Sequence, residues 1–261
     1  MPLMSSEDLS SGVLKILVYG PTGAGKTFFC GTAYDVSEFE PILYADLEDG
    51  ILPIRAILRE RWTEVQRPLK VVGPEDIRFF VNAMFDRKGP YRTVVIDSLT
   101  ELHALLMKLR LAEQGRAGQA PFQQDYGDVS ATMLRLMRRV KDELQVNLIC
   151  TAGEEVNTDE FSSTMYLLPD IVGKLCRRVP RYFDVVGHLT AQLRTDNKDG
   201  TIKKAVRQLQ LQPVNHIWAK CRIPALENVG VLNSPTIRKL HNAHTGHVDQ
   251  EDILEDDNGK D

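Results

Sequence analysis

The octapeptide Gly20-Pro21-Thr22-Gly23-Ala24-Gly25-Lys26-Thr27 satisfies G-x-x-x-x-G-K-[ST] at every fixed position. Such a stretch is suited to holding phosphate. Its glycines let backbone N–H groups turn inward around phosphate oxygens. The lysine adds positive charge near the β and γ phosphates, and the threonine hydroxyl is available to Mg²⁺. The flanks fit this chemistry. An apolar strand from Val13 to Tyr19 precedes the loop, and a helix from Lys26 to Tyr34 follows and directs its positive end at the same place. A nucleoside triphosphate and Mg²⁺ are the expected ligands, with ATP and GTP not distinguished by the loop.

A second strand signal, Thr93-Val94-Val95-Ile96-Asp97, ends in a carboxylate that can join Thr27 in holding the metal. The same aspartate can cap the helix that starts after Ser98, and the two roles are compatible. Serine rather than glutamate follows Asp97, so a base for water must come from elsewhere. The strand from Ile42 to Asp46 delivers Leu47-Glu48-Asp49-Gly50 to the carboxyl edge of the sheet, where ligands bind in open α/β sheets. Position alone leaves Glu48 as a base that orients and deprotonates water, or as part of a solvated acidic loop.

These groups need a scaffold, and the hydrophobic pattern supplies one. Short apolar runs alternate with helical patterns along the first two-thirds of the chain, which predicts an α/β fold with a mostly parallel central sheet covered on both faces. Helices are expected near residues 52 to 62, 74 to 85, 99 to 113 and 129 to 144, with a further strand from Val146 to Thr151. Residues 115 to 127 read as a loop and 153 to 166 as irregular. Leu168 to Val179 reads as a short helix stopping before Pro180. Asn197-Lys198-Asp199-Gly200 is a hairpin-turn signal joining a strand from Phe183 to Leu193 to one from Ala205 to Leu211, an antiparallel C-terminal hairpin. Ile217 to Cys221 closes the strand list. The expected organisation is a flexible stretch over 1–11, one domain over 12–248 and an acidic disordered tail over 249–261.

Composition narrows the classes. The 261 residues are 43% hydrophobic and 26% charged, with a net charge of -4, which excludes a globally basic nucleic-acid footprint but not a local one. Four cysteines occur without a Cys-x-x-Cys pair, so neither a zinc framework nor a disulfide scaffold is indicated and a reduced, cytoplasmic location is expected. No apolar run approaches the roughly 18 residues of a membrane helix, and the polar start MPLMSSEDLSSG lacks a signal-peptide core. His241, His244 and His247 lack a cysteine or clear acidic ligand that completes a metal set locally.

The order of Gly20 to Thr27, Asp46-Leu47-Glu48 and Val94-Val95-Ile96-Asp97-Ser98 resembles the RecA-like recombination ATPases, most closely the small phage ATPases associated with single-strand annealing. The resemblance spans roughly residues 12 to 225 and is specific only at these motifs. It implies a RecA-like P-loop fold, ATP hydrolysis with Mg²⁺, and Glu48 as the base. It places Pro53 and Arg55 where an adenine-stacking residue is often found, and Lys220 and Arg222 where basic residues reach a neighbouring subunit's γ-phosphate. Relatives carry a polar residue, often glutamine, after the strand that follows the aspartate strand. This chain has no glutamine within residues 150–155, and Thr151 or Glu154 is left as the substitute. The implied partners are single-stranded DNA, further copies of the chain and a single-strand-binding protein, with no membrane.

Lys174, Arg177, Arg178 and Arg181 form the candidate DNA-binding cluster. If the segment is helical, 174, 177 and 178 share a face that suits backbone phosphates or is simply solvated. Arg135, Arg138, Arg139 and Lys141 alternate with apolar positions of a long helix and read as its solvated face. The expected work is recombination or annealing of single-stranded DNA. The rivals are a small-molecule kinase, which should show an arginine-rich lid, and a non-catalytic ATP-dependent switch or partner-loading module.

Overall fold

Five consecutive buried residues, Lys-Ile-Leu-Val-Tyr, form β1 (Lys15–Tyr19). Side chains alternate across a strand, so Leu17 and Tyr19 enter one core while Ile16 and Val18 enter the other. A strand covered on both faces is the mark of a parallel sheet sandwiched by helices. The computed structural model, which describes residues 12–61, 63–86, 89–158, 165–195 and 202–247, has this architecture.

After the phosphate loop comes the short α1 (Lys26–Gly31), then β2 (Ile42–Asp46), α2 (Arg55–Glu60), β3 (Leu69–Lys70), α3 (Pro74–Phe85), β4 (Thr93–Asp97), α4 (Leu99–Glu113), α5 (Gln123–Glu143) and β5 (Asn147–Ala152). A hairpin of β6 (Glu154–Thr158) and β7 (Met165–Pro169) follows, then α6 (Leu175–Arg178), β8 (Val185–Thr195), β9 (Ile202–Gln210), β10 (Lys220–Cys221), β11 (Val231–Asn233) and α7 (Ile237–Thr245). The main sheet runs β11-β9-β8-β1-β5-β4-β2-β3, with β10 also paired to β8. Its six neighbours from β8 to β3 are parallel. β9, β10 and β11 add antiparallel pairs at the C-terminal side. The expected fold class, mostly parallel with an antiparallel C-terminal hairpin, is what the chain adopts.

The two cores divide the helices. Leu102, Leu105 and Leu106 of α4 and Met133, Met137 and Val140 of α5 cover one face, together with Phe80 of α3. Phe29 and Cys30 of α1, Leu58 of α2 and Leu240 of α7 cover the other.

Several local expectations are corrected. α5 begins at Gln123 rather than Val129, because the Asp125 carboxylate accepts the Phe122 N–H at 2.7 Å and pairs with Arg116, which satisfies the helix start. The region expected to be irregular is the β6–β7 hairpin. The helix expected over 168–179 shrinks to α6, since Leu168 belongs to β7 and Gly173 turns the chain at φ 61°. The strand expected over Ile217 to Cys221 is only Lys220–Cys221. β11 and α7 had no sequence reading, although Thr236 caps Lys239 N–H and Gly246 ends α7 in the left-handed region, both ordinary helix signals. The turn at 197–200, the stretch 1–11 and the acidic tail lie outside the described residues.

Candidate nucleotide site

The loop after β1 is held by close approach. A Cβ on Gly20 would lie 2.1 Å from the Leu189 carbonyl oxygen of β8, so the turn can leave the sheet only as glycine. Gly25, at φ 96°, takes the left-handed conformation that begins α1. The Lys26 ammonium folds back on its own loop, donating to the carbonyls of Gly20 at 2.9 Å and Pro21 at 3.0 Å. Pro21, Thr22, Gly23 and Ala24 complete the turn between them.

Asp97, buried at the end of β4, gathers three hydroxyls. Thr27 Oγ1 and Tyr44 Oη each donate to its Oδ2 at 2.8 Å, and Thr151 Oγ1 donates to Oδ1 at 2.5 Å. Thr27 and Asp97 therefore stand side by side as an alcohol and a carboxylate, the hard-oxygen set that suits Mg²⁺. Burial and the neighbouring Asp97 carboxylate push the Tyr44 phenol well up, so it stays a donor. Asp46, one strand over, is held above the usual carboxylate range, first by burial, although Gly50 N–H donates to it at 3.0 Å.

Glu48 sits in the exposed loop after β2, and Ser98 Oγ donates to its Oε1. Ser98 is itself fully buried and caps α4 through the Glu101 N–H. Across the loop, Gly50 places Thr27 Oγ1 and Glu48 Cβ within 3.8 and 3.9 Å of the point its own Cβ would occupy. The phosphate loop, Asp97, Ser98 and Glu48 are thus neighbours at the carboxyl ends of β1, β2 and β4.

The residues expected to replace the missing glutamine divide. Thr151 serves Asp97. Glu154 Oε2 lies 2.7 Å from Nε2 of His188, a buried histidine on β8 whose ring stands 5.0 Å from that of Tyr19. Sequence reasoning missed Tyr44, His188 and Arg207. Arg207 comes from β9, its guanidinium 4.8 Å from the Phe28 ring centroid and against Gly25, with Nε buried and unpartnered. Tyr44 alone had a local signal, as a polar-tipped residue inside an otherwise apolar strand. Arg207 lies too far along the chain for spacing to reveal it.

Other expected residues fall elsewhere. Arg55 opens α2 on an exposed turn, just after Ile54 packs closely on Gly31 of α1. Lys220 lies across β8 from Val186, and its ammonium donates to the carbonyls of Pro180, at 3.1 Å, and Phe183. Arg222 pairs with Asp184 at 3.6 Å. Both therefore sit at the Lys15 end of the sheet, and neither belongs to the phosphate site of its own chain. Burial draws the Lys220 pKa down to about 8, with Arg222 adding to the effect. The cluster at 174–181 is also split. Arg177 turns to Tyr166, 5.9 Å from the ring centroid, whereas Arg178 and Arg181 turn to α5 and Lys174 is exposed before α6. Among the described residues no three His, Cys, Asp or Glu side chains converge as a metal group, and no helix is long and apolar enough to cross a membrane.

Comparison with known proteins agrees with the loop. Residues 13–223 match the AAA domain family, and the chain belongs to it. No curated protein matches. Among solved structures, the RadB recombinase aligns with a TM-score of 0.47 and 15% identity, over 76% of this chain and 79% of that one.

Proposed function

We propose that this AAA-domain chain is a Mg²⁺-dependent ATPase that works on single-stranded DNA in recombination or strand annealing. The observation that carries the hydrolytic part is the meeting of Thr27, Asp97 and a Ser98-held Glu48 beside the phosphate loop. The motif order that resembles recombination ATPases supports the choice of polymer. The same reading has the chain acting as a homo-oligomer, for which the exposed Val156 and Met165 of the β6–β7 hairpin offer an apolar surface.

In this mechanism the N–H groups of residues 20–27 hold the triphosphate, and Lys26 leaves its loop carbonyls to balance charge on the β and γ phosphates. Thr27 and Asp97 would hold Mg²⁺, which would supply charge neutralisation at the phosphates when bound. Glu48 accepts a proton from water as the water oxygen bonds to the γ-phosphorus. The bond from that phosphorus to the bridging oxygen breaks, releasing ADP and phosphate. Ser98 fixes the direction in which the carboxylate faces. Arg207, beside Gly25, supplies further positive charge to the nucleotide.

Glu48→Gln tests the assignment, because it keeps the shape and removes the base. Turnover is expected to fall about 100-fold or more, while binding of a fluorescent ATP analogue stays within a few-fold. Normal turnover would remove Glu48 from the mechanism. Absent turnover in the wild type, with nucleotide bound, would favour the ATP-dependent switch.

A further inference from the structure

A strongly cationic cavity lies away from the phosphate loop. A groove of about 670 Å³ runs between α5 and the turn after α6. Arg135, Arg138 and Lys141 line it from α5, Arg178 and Arg181 from the other wall, and Tyr182 contributes an aromatic ring. All five cations are exposed, and among the described residues none of them forms an ion pair. Their neighbours do: Arg139 pairs with Glu143, Arg110 with Asp128 and Arg116 with Asp125. Among the described residues no acidic side chain lines the groove. The solvated face of α5 also forms one wall of a cationic groove, because the segment carrying Arg178 and Arg181 packs beside it.

The groove also has a definite place. α5 ends just before β5, whose Leu148 pairs with Lys15, and Tyr182 lies just before β8, whose Val185 pairs with Ile16. It therefore opens at the start of β1, while the phosphate loop follows its end.

We infer that this groove is the track for the sugar–phosphate backbone of single-stranded DNA. The inference rests on the DNA reading proposed above and moves its contacts to Arg135, Arg138, Lys141, Arg178 and Arg181, away from Lys174 and Arg177. Charge complementarity supplies the attraction. Arg135 and Lys141 are six residues apart on one helix, about 9 Å along its axis, which is more than one phosphate group spans. An aromatic ring within a cationic groove is the arrangement that binds single strands by base stacking. An acidic peptide would leave that ring without a matching partner.

The test is fluorescence anisotropy with a labelled oligothymidylate, titrated over a range of salt. Arg138→Ala/Arg181→Ala should weaken binding at least about tenfold and reduce the slope of log K against log salt by about 0.7 per lost phosphate contact. Arg138→Lys/Arg181→Lys should bind within a few-fold of wild type. Thermal melting checks that each variant folds, and Arg135→Ala/Lys141→Ala carries the same expectation should the first pair melt early. An alanine variant with wild-type affinity and slope would overturn the groove while leaving DNA binding intact. A wild type that ignores the oligonucleotide even at low salt would overturn the DNA reading and the groove with it. Polyglutamate competing as well as unlabelled oligothymidylate would overturn the choice of nucleic acid.

Discussion

The two ends of β1 handle charge in opposite ways. Beyond Tyr19, nearly every polar group is held from the protein interior. Lys26 is tied to its loop carbonyls, Asp97 to three hydroxyls and Glu48 to Ser98. Around the Lys15 end, the five groove cations stand in solvent without an ion-pair partner among the described residues, while Lys220 is fastened to backbone carbonyls and Arg222 pairs with Asp184. The contrast separates two ways of meeting phosphate. Chemistry on one phosphorus atom needs donors fixed in advance. Attachment to a polymer needs charge that tolerates many geometries.

The sharpest way to break the comparison is at Gly20. Gly20→Ala drives a methyl group against the Leu189 carbonyl, which should cost about 1 to 3 kcal/mol of stability and abolish tight ATP binding. Denaturant midpoints and nucleotide titration read both. A variant that binds ATP normally would show that the loop is not held by close approach.

A smaller effect sharpens the role of the interior hydrogen bonds. Ser98→Ala removes the donor to Glu48 and the cap on α4. The lost cap should cost about 1 kcal/mol. Turnover should fall on the order of 10-fold with KM nearly unchanged, less than the roughly 100-fold that a misplacement of about 1 Å can cause. An equal rise in KM would mean that Ser98 shapes binding rather than the orientation of the base.

The smallest effect concerns Lys220. Its folded pKa is about 8 against an ordinary 10.5, so the unfolded chain binds more protons between those values. Stability should therefore rise as pH climbs through that window, and the cost of burying the charge is fully present below it. Lys220→Met should flatten this rise, as seen in denaturant midpoints at pH 8 and pH 10. An unaltered pH dependence would assign the slope to another group.

Much of the phosphate end could be read from the sequence because it is built from continuous apolar runs that end in polar residues. Ile42 to Asp46 and Thr93 to Asp97 are buried parallel strands, and their last residues fall where the sheet delivers them. The other features depend on contacts distant in the chain. The shared role of Tyr44 and Thr151 emerges only when the sheet sets Asp97 between them. Glu154 to Thr158 is half-exposed and polar, so β6 has no apolar run to announce it. Leu168, Ile171 and Leu175 mimic helical spacing although Leu168 lies in a strand. The cations of α5 gained their meaning only when Arg178 and Arg181 were placed opposite them.

The length of β1 has an electrical consequence. Its five residues advance about 13 Å from Lys15 to Tyr19, whereas the Debye length at physiological ionic strength is about 8 Å. On the proposed reading, a triphosphate beyond one end and a phosphate chain beyond the other would be largely screened from each other through the solvent. Both anions could then be bound together with little repulsion across that path.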